Sequence, residues 1–324
     1  MFPPRVLPSY TAVRAGITQL LWPVAPRNIF LAKKDFDPRV LSSAREFVQM
    51  LHERYPVNLF VEPHIHRELE LPFVHAISDP ETLQRHVDLV VTMGGDGTIL
   101  HAMSLFKRQS LAMPPVLSFS MGTLGFLLPF DFRDSAAAFE KMYHNEAFVT
   151  KRSRLRVTMP RSSGVLHALN EVTIHRGGSP HLAQLDIAVN DQHLTTAIAD
   201  GVSVSTPTGS TAYSLSAGGS IVHPGVPSIL LTPICPRSLS FRPLLVPQDA
   251  AISIRLAAHA RGPSSLSLDG DENGVLDHGD TITMGVDPEE SVWCVALGSD
   301  TDDWVKHING LLGFNSKFGK AQDV

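Results

Sequence analysis

The fold is decided by residues 90–98, which read Val-Val-Thr-Met-Gly-Gly-Asp-Gly-Thr. The apolar run from Leu89 to Val91 predicts a buried parallel strand, and the glycines that follow end that strand abruptly. Apolar residues then repeat at helical spacing, at Ile99, Leu100, Met103 and Phe106. The stretch therefore predicts a strand, a glycine turn and a helix N-terminus, a combination that faces the ligand crevice of an open α/β sheet.

The glycine turn has the composition of a phosphate-binding loop. Its glycines allow the backbone to approach phosphate oxygens closely, but Asp96 would repel a phosphate unless it accepts a proton or holds a metal. Two better-known phosphate loops, G-x-x-x-x-G-K-[ST] and a G-x-G-x-x-G after a strand, are absent from the sequence. A simpler alternative is a tight turn in which Asp96 is only the helix N-cap.

Composition limits the classes of protein and partner. The 324 residues are 43% hydrophobic and 18% charged, which suffices for two domains with cores of their own. The net charge of −5 disfavours nucleic acid or an anionic membrane surface as the main partner, and no apolar run approaches a membrane span. Cys235 and Cys294, without a C-x-x-C pattern, indicate reduced thiols. His64 and His66 lack a further metal ligand in register, so we predict no metal site.

Strands and helices alternate in the first half of the chain. Asn28 to Leu31, Val57 to Val61 and Val116 to Phe119 read as strands, and Asp134 is expected to cap a helix that reaches Tyr143. This order predicts an α/β domain over residues 27–150, built on an open, mainly parallel, doubly wound sheet.

The chain has no acidic side chain before Asp35, whereas Arg5, Arg14, Arg27, Lys33 and Lys34 are basic. An acid-poor segment such as residues 1–26 is typical of the remnant of a mitochondrial transit sequence, although its prolines interrupt any long amphipathic helix. A disordered cytosolic extension explains the composition equally well. We take the mitochondrial matrix as the expected compartment and the cytoplasm as the alternative.

After Lys151 the hydrophobic pattern changes to strict alternation, as in Leu185-x-Ile187-x-Val189. Short alternating segments separated by Gly, Pro and Asp clusters predict an all-β domain over residues 151–290. Residues 291–324 read as a strand and a helix that return to the first domain.

Two stretches of the β domain suggest binding. Residues 200–219 are dense in glycines and small hydroxyl side chains, which offer donors, acceptors and close backbone approach. Tyr213 adds an aromatic face suited to a base ring. Asn170 and Glu171 are polar within a strand pattern, where they would either face water on an edge strand or hydrogen-bond an amide or a ribose.

These stretches, in this order and spacing, resemble the motif series of the NAD kinases: residues 94–98, Asn170-Glu171, and residues 200–219. The resemblance extends from about Leu21 to about Gly285 and is most marked to the fungal mitochondrial NADH kinases, for example in residues 175–182 and 234–244. The first motif is shared with lipid kinases and phosphofructokinases, whereas the later two are specific to NAD kinases.

The resemblance implies an ATP-dependent kinase that phosphorylates the adenosine ribose 2′-hydroxyl of NAD⁺ or NADH to give NADP(H). Asp96 would be the general base, and no protein metal ligand is implied because Mg²⁺ would come with ATP. Nucleotide- and substrate-binding positions implied by the family are Gly95, Gly97, Thr98, His101, Asn170, Glu171, His181, Asp200, Thr211, Ala212, Tyr213, Ser214, Leu215 and Ser216. A homo-oligomer, dimer or tetramer, is also implied, in which residues 234–244 complete a neighbour's site.

One departure from the family concerns Asp269-Gly270-Asp271, because many relatives carry a neutral or basic residue after Asp-Gly. The following Glu272-Asn273-Gly274 resembles a local insertion, which leaves the role of Asp271 open. Two other functions compete with the NAD kinase assignment: a lipid or sugar kinase of the same α/β type, and a nucleotide sensor without activity. Asn170-Glu171 disfavours the first, and an intact Asp96 disfavours the second.

Overall fold

The structure is a computed structural model, which describes residues 2–14, 17–106, 112–122, 125–159, 164–296 and 302–314. The chain divides into two compact units, residues 1–102, 114–150 and 293–324 in the first, and residues 103–113 and 151–292 in the second. No helix among the described residues is both long and apolar enough to cross a membrane.

The first unit begins with strands and then alternates strands with helices. In chain order its strands are β1 (Ser9–Arg14), β2 (Ile17–Leu21), β3 (Asn28–Lys33), β4 (Asn58–Val61), β5 (Val74–Ala76), β6 (Leu89–Gly94), β7 (Val116–Ser120), β8 (Phe130–Asp131) and β9 (Phe148–Arg152). Its helices are α1 (Pro38–Arg54), α2 (Pro63–Leu69), α3 (Pro80–His86), α4 (Asp96–Ser104) and α5 (Ser135–Tyr143).

The second unit is almost entirely antiparallel β structure. Its strands are β10 (Leu155–Thr158), β11 (Leu166–Ala168), β12 (Glu171–His175), β13 (Ala183–Val189), β14 (Gln192–Ala199), β15 (Gly201–Ser205), β16 (Ser228–Ile234), β17 (Leu244–Pro247), β18 (Ile252–Leu256), β19 (Ser264–Leu268), β20 (Asp271–Leu276) and β21 (Thr281–Val286). A short helix, α6 (Tyr213–Ser216), follows a 3-10 turn at Thr208–Thr211. The chain ends with β22 (Val292–Ala296) and α7 (Asp302–Leu312).

The sheet of the first unit has the order β1-β2-β9-β22-β7-β6-β3-β4-β5, with β8 beside β7. Strands β3 to β7 and β22 run parallel, and β1, β2 and β9 form an antiparallel margin. Because β22 pairs with β7, the predicted return of the C-terminal segment to the first domain is confirmed, as is the α/β class. Helix α1 buries one apolar face, and its Phe47 contacts Phe119 of β7 with ring centroids 5.5 Å apart.

Two six-stranded sheets form the second unit, with the orders β11-β10-β21-β18-β13-β14 and β17-β16-β15-β12-β19-β20. Inward-facing aliphatic side chains of both sheets join in one core, which confirms the predicted all-β class. Between β19 and β20 the register shifts so that Leu266 pairs with Gly274 and Ser267 with Glu272. Asn273 is therefore the extra residue of a bulge, which accommodates the insertion noted in the sequence.

Two details of the first unit differ from the sequence expectation. Residues 9–14 and 17–21 of the expected N-terminal extension are strands of the sheet, and Trp22 is buried. Asp134 precedes α5 as expected, but its side chain makes no capping hydrogen bond. Instead Asp131 accepts a hydrogen bond from the N–H of Arg133 and caps the preceding 3-10 turn.

The N-terminal residues are attached to the first unit through Asp88. Its Oδ1 accepts the N–H of Val6 at 2.6 Å, and its Oδ2 accepts the N–H groups of Arg27 and Asn28 at 2.7 and 2.8 Å. Asp88 is fully buried, and this burial raises the pKa of its carboxyl group against the effect of the three hydrogen bonds. One side chain thus satisfies three backbone donors from two separate segments.

We predict that Asp88→Asn destabilises the first unit. An amide has only one acceptor oxygen, so at least one buried N–H group loses its partner, which costs about 1–3 kcal/mol. Urea unfolding followed by circular dichroism measures the loss. Asp79→Asn is the control, because Asp79 caps α3 at the surface and Asn caps helices about as well. Equal free energies of unfolding for Asp88→Asn and wild type would contradict this role.

Candidate active site

Asp96 is the first residue of α4, directly after β6 and Gly95. Its Oδ2 accepts the N–H of Phe126 at 2.9 Å, and its Oδ1 accepts the N–H of Leu127 at 3.0 Å. The carboxylate therefore has a fixed orientation at the positive end of a helix dipole, where negative charge is stabilised. The expected strand, turn and helix around Asp96 are all present, and its side chain also holds residues 126 and 127.

The glycines of this turn fall into two groups. A Cβ on Gly94 would lie 2.2 Å from Oγ1 of the buried Thr98, and a Cβ on Gly125 would lie 2.2 Å from Oδ1 of Asp96. Packing therefore requires glycine at positions 94 and 125. In contrast, a Cβ on Gly95 or Gly97 would meet no other atom of the described residues within 4 Å. Packing does not explain these two glycines, whereas close approach of a ligand to the backbone does.

His101 lies one turn further along α4 and is exposed. Its Nε2 is 2.8 Å from Oε2 of Glu62, which follows β4. Nearby in the same unit, His64 Nε2 is 3.1 Å from Oδ1 of Asp35, whereas His66 makes no comparable pair with a described residue. No three His, Cys, Asp or Glu side chains of the described ranges lie close enough together to hold a metal ion.

In the second unit, Asn170 and Glu171 lie at the start of a central strand. β12 pairs with β15 on one side and β19 on the other, and both residues are more than nine-tenths buried. The water-facing edge strand considered for this pair is therefore wrong. A polar pair at a buried, central position needs partners from the protein or from a ligand.

Burial, together with the negative charge of Asp269, raises the pKa of the Glu171 carboxyl group to about 7. A hydrogen bond from the N–H of Tyr213 opposes this shift. Oε2 of Glu171 has no hydrogen-bond partner among the described residues and is inaccessible to solvent. Glu171 therefore has a buried oxygen whose hydrogen-bonding capacity is unused by the described residues, and an ionisation that changes near neutral pH.

The hydroxyl-rich stretch packs directly against this pair. Thr206 donates its N–H to the carbonyl of Asn170 at 2.9 Å and its hydroxyl to the carbonyl of Leu169 at 2.6 Å. A Cβ on Gly209 would lie 2.0 Å from the same Asn170 carbonyl, so only glycine fits there. The turn that contains Thr208–Thr211 is thus fixed against Asn170 by backbone contacts.

The remaining predicted positions of the second unit differ in their exposure. Tyr213 is 40% exposed and Ser216 is exposed, while Thr211, Ala212 and Leu215 are half-buried. Ser214 is fully buried, and its hydroxyl pairs with that of Thr232 at 2.8 Å, so this side chain supports the loop from within.

Asp200 accepts a hydrogen bond from Nε of Arg176 at 2.6 Å. His181 is exposed in the turn after β12. The second unit therefore brings Asn170 and Glu171 together with residues 206–213, and holds Asp200 in an ion pair.

Three contributors to these arrangements were not predicted from the sequence. Gly125 and the N–H groups of Phe126 and Leu127 hold Asp96, and Asp269 accepts hydrogen bonds from residues 169–171. The only sequence signal for Asp269 was the Asp269-Gly270 pair directly after an alternating strand, and from the sequence Asp271 was considered in its place. Asp271 is an exposed residue of β20.

Comparison with known proteins gives a consistent result. The ATP-NAD kinase N-terminal domain matches residues 34–147, and the ATP-NAD kinase C-terminal domain matches residues 169–294. A mitochondrial NADH kinase of Schizosaccharomyces pombe is 46% identical over 308 residues, covering 94% of this chain and 79% of that protein. A mitochondrial NADH kinase of Saccharomyces cerevisiae is 40% identical over 351 residues, covering 93% and 84%.

Solved structures are similar over most of their length. The crystal structure of a yeast NADH kinase complexed with NADH has a TM-score of 0.90 and 40% identity, covering 99% of this chain and 98% of that one. An NAD kinase from Archaeoglobus fulgidus in complex with ATP has a TM-score of 0.64 at 22% identity, covering 88% and 97%. This second likeness supports the fold alone.

We predict that Glu171→Gln stabilises the protein without ligand at high pH. Because the folded-state pKa of about 7 lies above the ordinary value of 4.5, folding favours the protonated carboxyl group. The free energy of unfolding should therefore fall by up to about 3 kcal/mol as the pH rises through this window. Gln stays neutral and avoids the loss, so the variant should unfold at higher urea concentration than wild type at pH 8.

The difference in free energy of unfolding between Glu171→Gln and wild type should become smaller as the pH is lowered towards 5, since both folded proteins then carry an uncharged side chain at position 171. Glu272→Gln, at an exposed position of β20, is the matched control and should follow wild type at every pH. A Glu171→Gln variant that is no more stable than wild type at pH 8 would show that ionisation of Glu171 does not lower the free energy of unfolding.

Proposed function

The chain belongs to the NAD kinase family, and on this basis we propose how its residues transfer a phosphoryl group from ATP to NAD(H). The enzyme is a phosphotransferase that acts on NAD(H). We assign the acceptor as the adenosine ribose 2′-hydroxyl, so that the product is NADP(H). The observation that supports this proposal most strongly is the fixed carboxylate of Asp96 beside two glycines that packing does not require.

Asp96 is proposed as the general base. An alcohol attacks a phosphoryl group more readily when a carboxylate within hydrogen-bond reach accepts its proton. The N–H groups of Phe126 and Leu127 hold the carboxylate in one orientation, so little reorganisation is needed when the hydroxyl arrives. His101, one turn along α4, is proposed to lie beside the bound nucleotide.

Gly95, Gly97 and Thr98 are proposed to form the loop that the phosphates approach. Free backbone N–H groups at a helix N-terminus favour phosphate oxygens, and the absence of side chains at 95 and 97 leaves them accessible. Phosphoryl transfer requires neutralisation of charge, which Mg²⁺ supplies when it enters bound to ATP. Mg²⁺ is thus treated as part of the nucleotide substrate.

Asn170, Glu171 and the hydroxyl-rich stretch are proposed to bind the dinucleotide. Oε2 of Glu171 has no hydrogen-bond partner among the described residues, and a ribose or amide donor would satisfy it once the side chain turns to expose this oxygen. Tyr213 keeps an exposed ring that suits stacking on a base or a ribose. His181, Asp200, Thr211, Ala212, Ser214, Leu215 and Ser216 are proposed to line or support the same binding surface.

We propose NADH as the preferred acceptor and the mitochondrial matrix as the compartment, with the cytoplasm as the alternative. Both curated relatives described above are mitochondrial NADH kinases, and the acid-poor first 26 residues fit that compartment. Steady-state comparison of NAD⁺ and NADH as acceptors tests the preference, and higher kcat/KM for NAD⁺ would contradict it.

A homo-oligomer, dimer or tetramer, is also proposed, with residues 234–244 at the interface. This segment links β16 to β17, presents Leu239 with 79% exposure, and is held by the bond from the N–H of Arg237 to the carbonyl of Ile198 at 2.8 Å. We expect Leu239→Glu to reduce the mass measured by light scattering, because a charge would be buried at the contact. A wild-type protein that is monomeric at micromolar concentration would contradict the proposal.

The test of the catalytic proposal is Asp96→Asn. The variant keeps the size of the side chain but cannot accept the proton, so kcat should fall by roughly 10²–10⁴-fold. Dissociation constants for NADH and for ATP, measured separately, should change little. Asp134→Asn is the control, since Asp134 also precedes a helix of the first unit but makes no capping hydrogen bond, and it should keep wild-type kcat.

An amide at position 96 accepts only one of the two N–H bonds from residues 126 and 127, so thermal unfolding is measured alongside. If nucleotide affinity fell as much as the rate, Asp96 would serve to hold this segment and not as the base. Activity within a few-fold of wild type would exclude both roles.

A further inference from the structure

Four hydrogen bonds join Asp269 to residues 169–171. Its Oδ2 accepts the N–H of Leu169 at 2.8 Å, and its Oδ1 accepts the N–H groups of Asn170 and Glu171 at 2.7 and 3.2 Å. Its own N–H donates to the carbonyl of Glu171 at 3.0 Å. Leu169 and Asn170 lie between β11 and β12, and Glu171 is the first residue of β12, so Asp269 supplies the acceptors at the point where the strand begins.

The backbone conformation at Asp269 is unusual for a residue with a side chain. Asp269 has a φ of +52° and the next residue, Gly270, a φ of +87°, so the chain turns sharply between β19 and β20. Asp and Asn enter the left-handed region more readily than most residues, although at some cost. The turn directs the carboxylate of Asp269 back towards residues 169–171.

The opposite side of the same segment carries the hydroxyl-rich stretch. The carbonyl groups of Leu169 and Asn170 accept bonds from Thr206, and the N–H of Tyr213 donates to the Glu171 carboxyl group. Asp269 therefore holds the N–H groups of residues 169–171. The carbonyl groups of Leu169 and Asn170 in turn hold the proposed binding stretch. A shift of Asp269 would be transmitted to both.

The charge of Asp269 acts on two buried groups. It is the charged group facing Glu171, whose other polar neighbour is the N–H of Tyr213, and it opposes ionisation of the Glu171 carboxyl group. Arg154, which is only 2% exposed, has Glu290 and Asp269 as its charged neighbours. The buried guanidinium of Arg154 thus balances the charge that Asp269 places beside Glu171.

We propose that Asp269 is a positioning residue for dinucleotide binding, which holds Asn170 and Glu171 in register with the hydroxyl-rich stretch and sets the electrostatic environment of the Glu171 carboxyl group. This inference rests on the proposed dinucleotide role of that pair. Asp269 itself does not contact the ligand in this proposal. It acts through the backbone of residues 169–171 and through its charge.

The test is Asp269→Asn, with NADH binding followed over pH 5.5–9 by NADH fluorescence without ATP. In wild type, ionised Glu171 accepts donors from the ligand, so affinity should fall by about tenfold per pH unit below the pKa of about 7. Asp269→Asn removes the neighbouring negative charge, which lowers the pKa of Glu171. The pH below which NADH affinity begins to fall (the pH break) should therefore be lower in the variant than in wild type. Affinity at pH 8 should also fall, because the amide cannot accept all three N–H bonds.

Asn tolerates a positive φ, so the variant should fold, and urea unfolding verifies this before binding is measured. Asp88→Asn is the matched control, since Asp88 also accepts three backbone N–H bonds but belongs to the first unit. It should lower stability and leave the pH break of NADH binding in place. Amide hydrogen exchange at residues 169–171 should accelerate in Asp269→Asn alone.

A uniform loss of affinity at all pH values, with the break unmoved, would mean that Asp269 is merely structural and would overturn the proposal. Unchanged affinity and unchanged exchange at residues 169–171 would overturn it as well. A failure of the proposed function looks different: the wild-type protein would not bind NADH at any pH, while the exchange measurement would still report whether Asp269 holds the segment.

Discussion

Hydrogen bonds from backbone N–H groups to aspartate carboxylates fix the proposed base in the first unit and the proposed binding pair in the second. Asp96 accepts two such bonds in the first unit, and Asp269 accepts three in the second. In each case the donors belong to a turn or to the start of a strand. Because hydrogen bonds to a charged acceptor are shorter and stronger than neutral ones, one side chain fixes a segment that would otherwise adopt several conformations.

The glycines near Asp96 and Asn170 are of two kinds. Some lie where the protein leaves no space for a Cβ atom, and others lie where a ligand would have room to approach the backbone. Positions 94, 125 and 209 have a neighbouring atom where a Cβ would lie, whereas positions 95 and 97 have none. A sequence shows only that all five are glycine. The structure separates those that packing demands from those that a ligand's approach explains, and the second group lies beside Asp96.

The sequence predicted the parallel strands well because they are nearly uninterrupted apolar runs, and the antiparallel strands because their apolar residues alternate. The helices were predicted because their apolar residues repeat with a period near 3.6. It also located Asp96, Asn170 and Glu171, since polar residues in apolar patterns are conspicuous. The strands at residues 9–14 and 17–21 escaped prediction because their burial alternates only partly and they lie at the margin of a sheet. The role of Asp269 could not be predicted, because its partners are backbone groups 98 to 100 residues away.

These features lead to one account of function, in which a fixed carboxylate in the first unit and a buried polar pair in the second serve the phosphorylation of NAD(H). The buried Glu171 with its raised pKa costs stability, as binding groups often do, and a ligand would relieve that cost. The most direct test is ³¹P NMR of the product formed from NADH and ATP by the wild-type protein. The account predicts one new phosphomonoester on the adenosine ribose at the 2′ position, and phosphate at any other position, or no transfer at all, would contradict it.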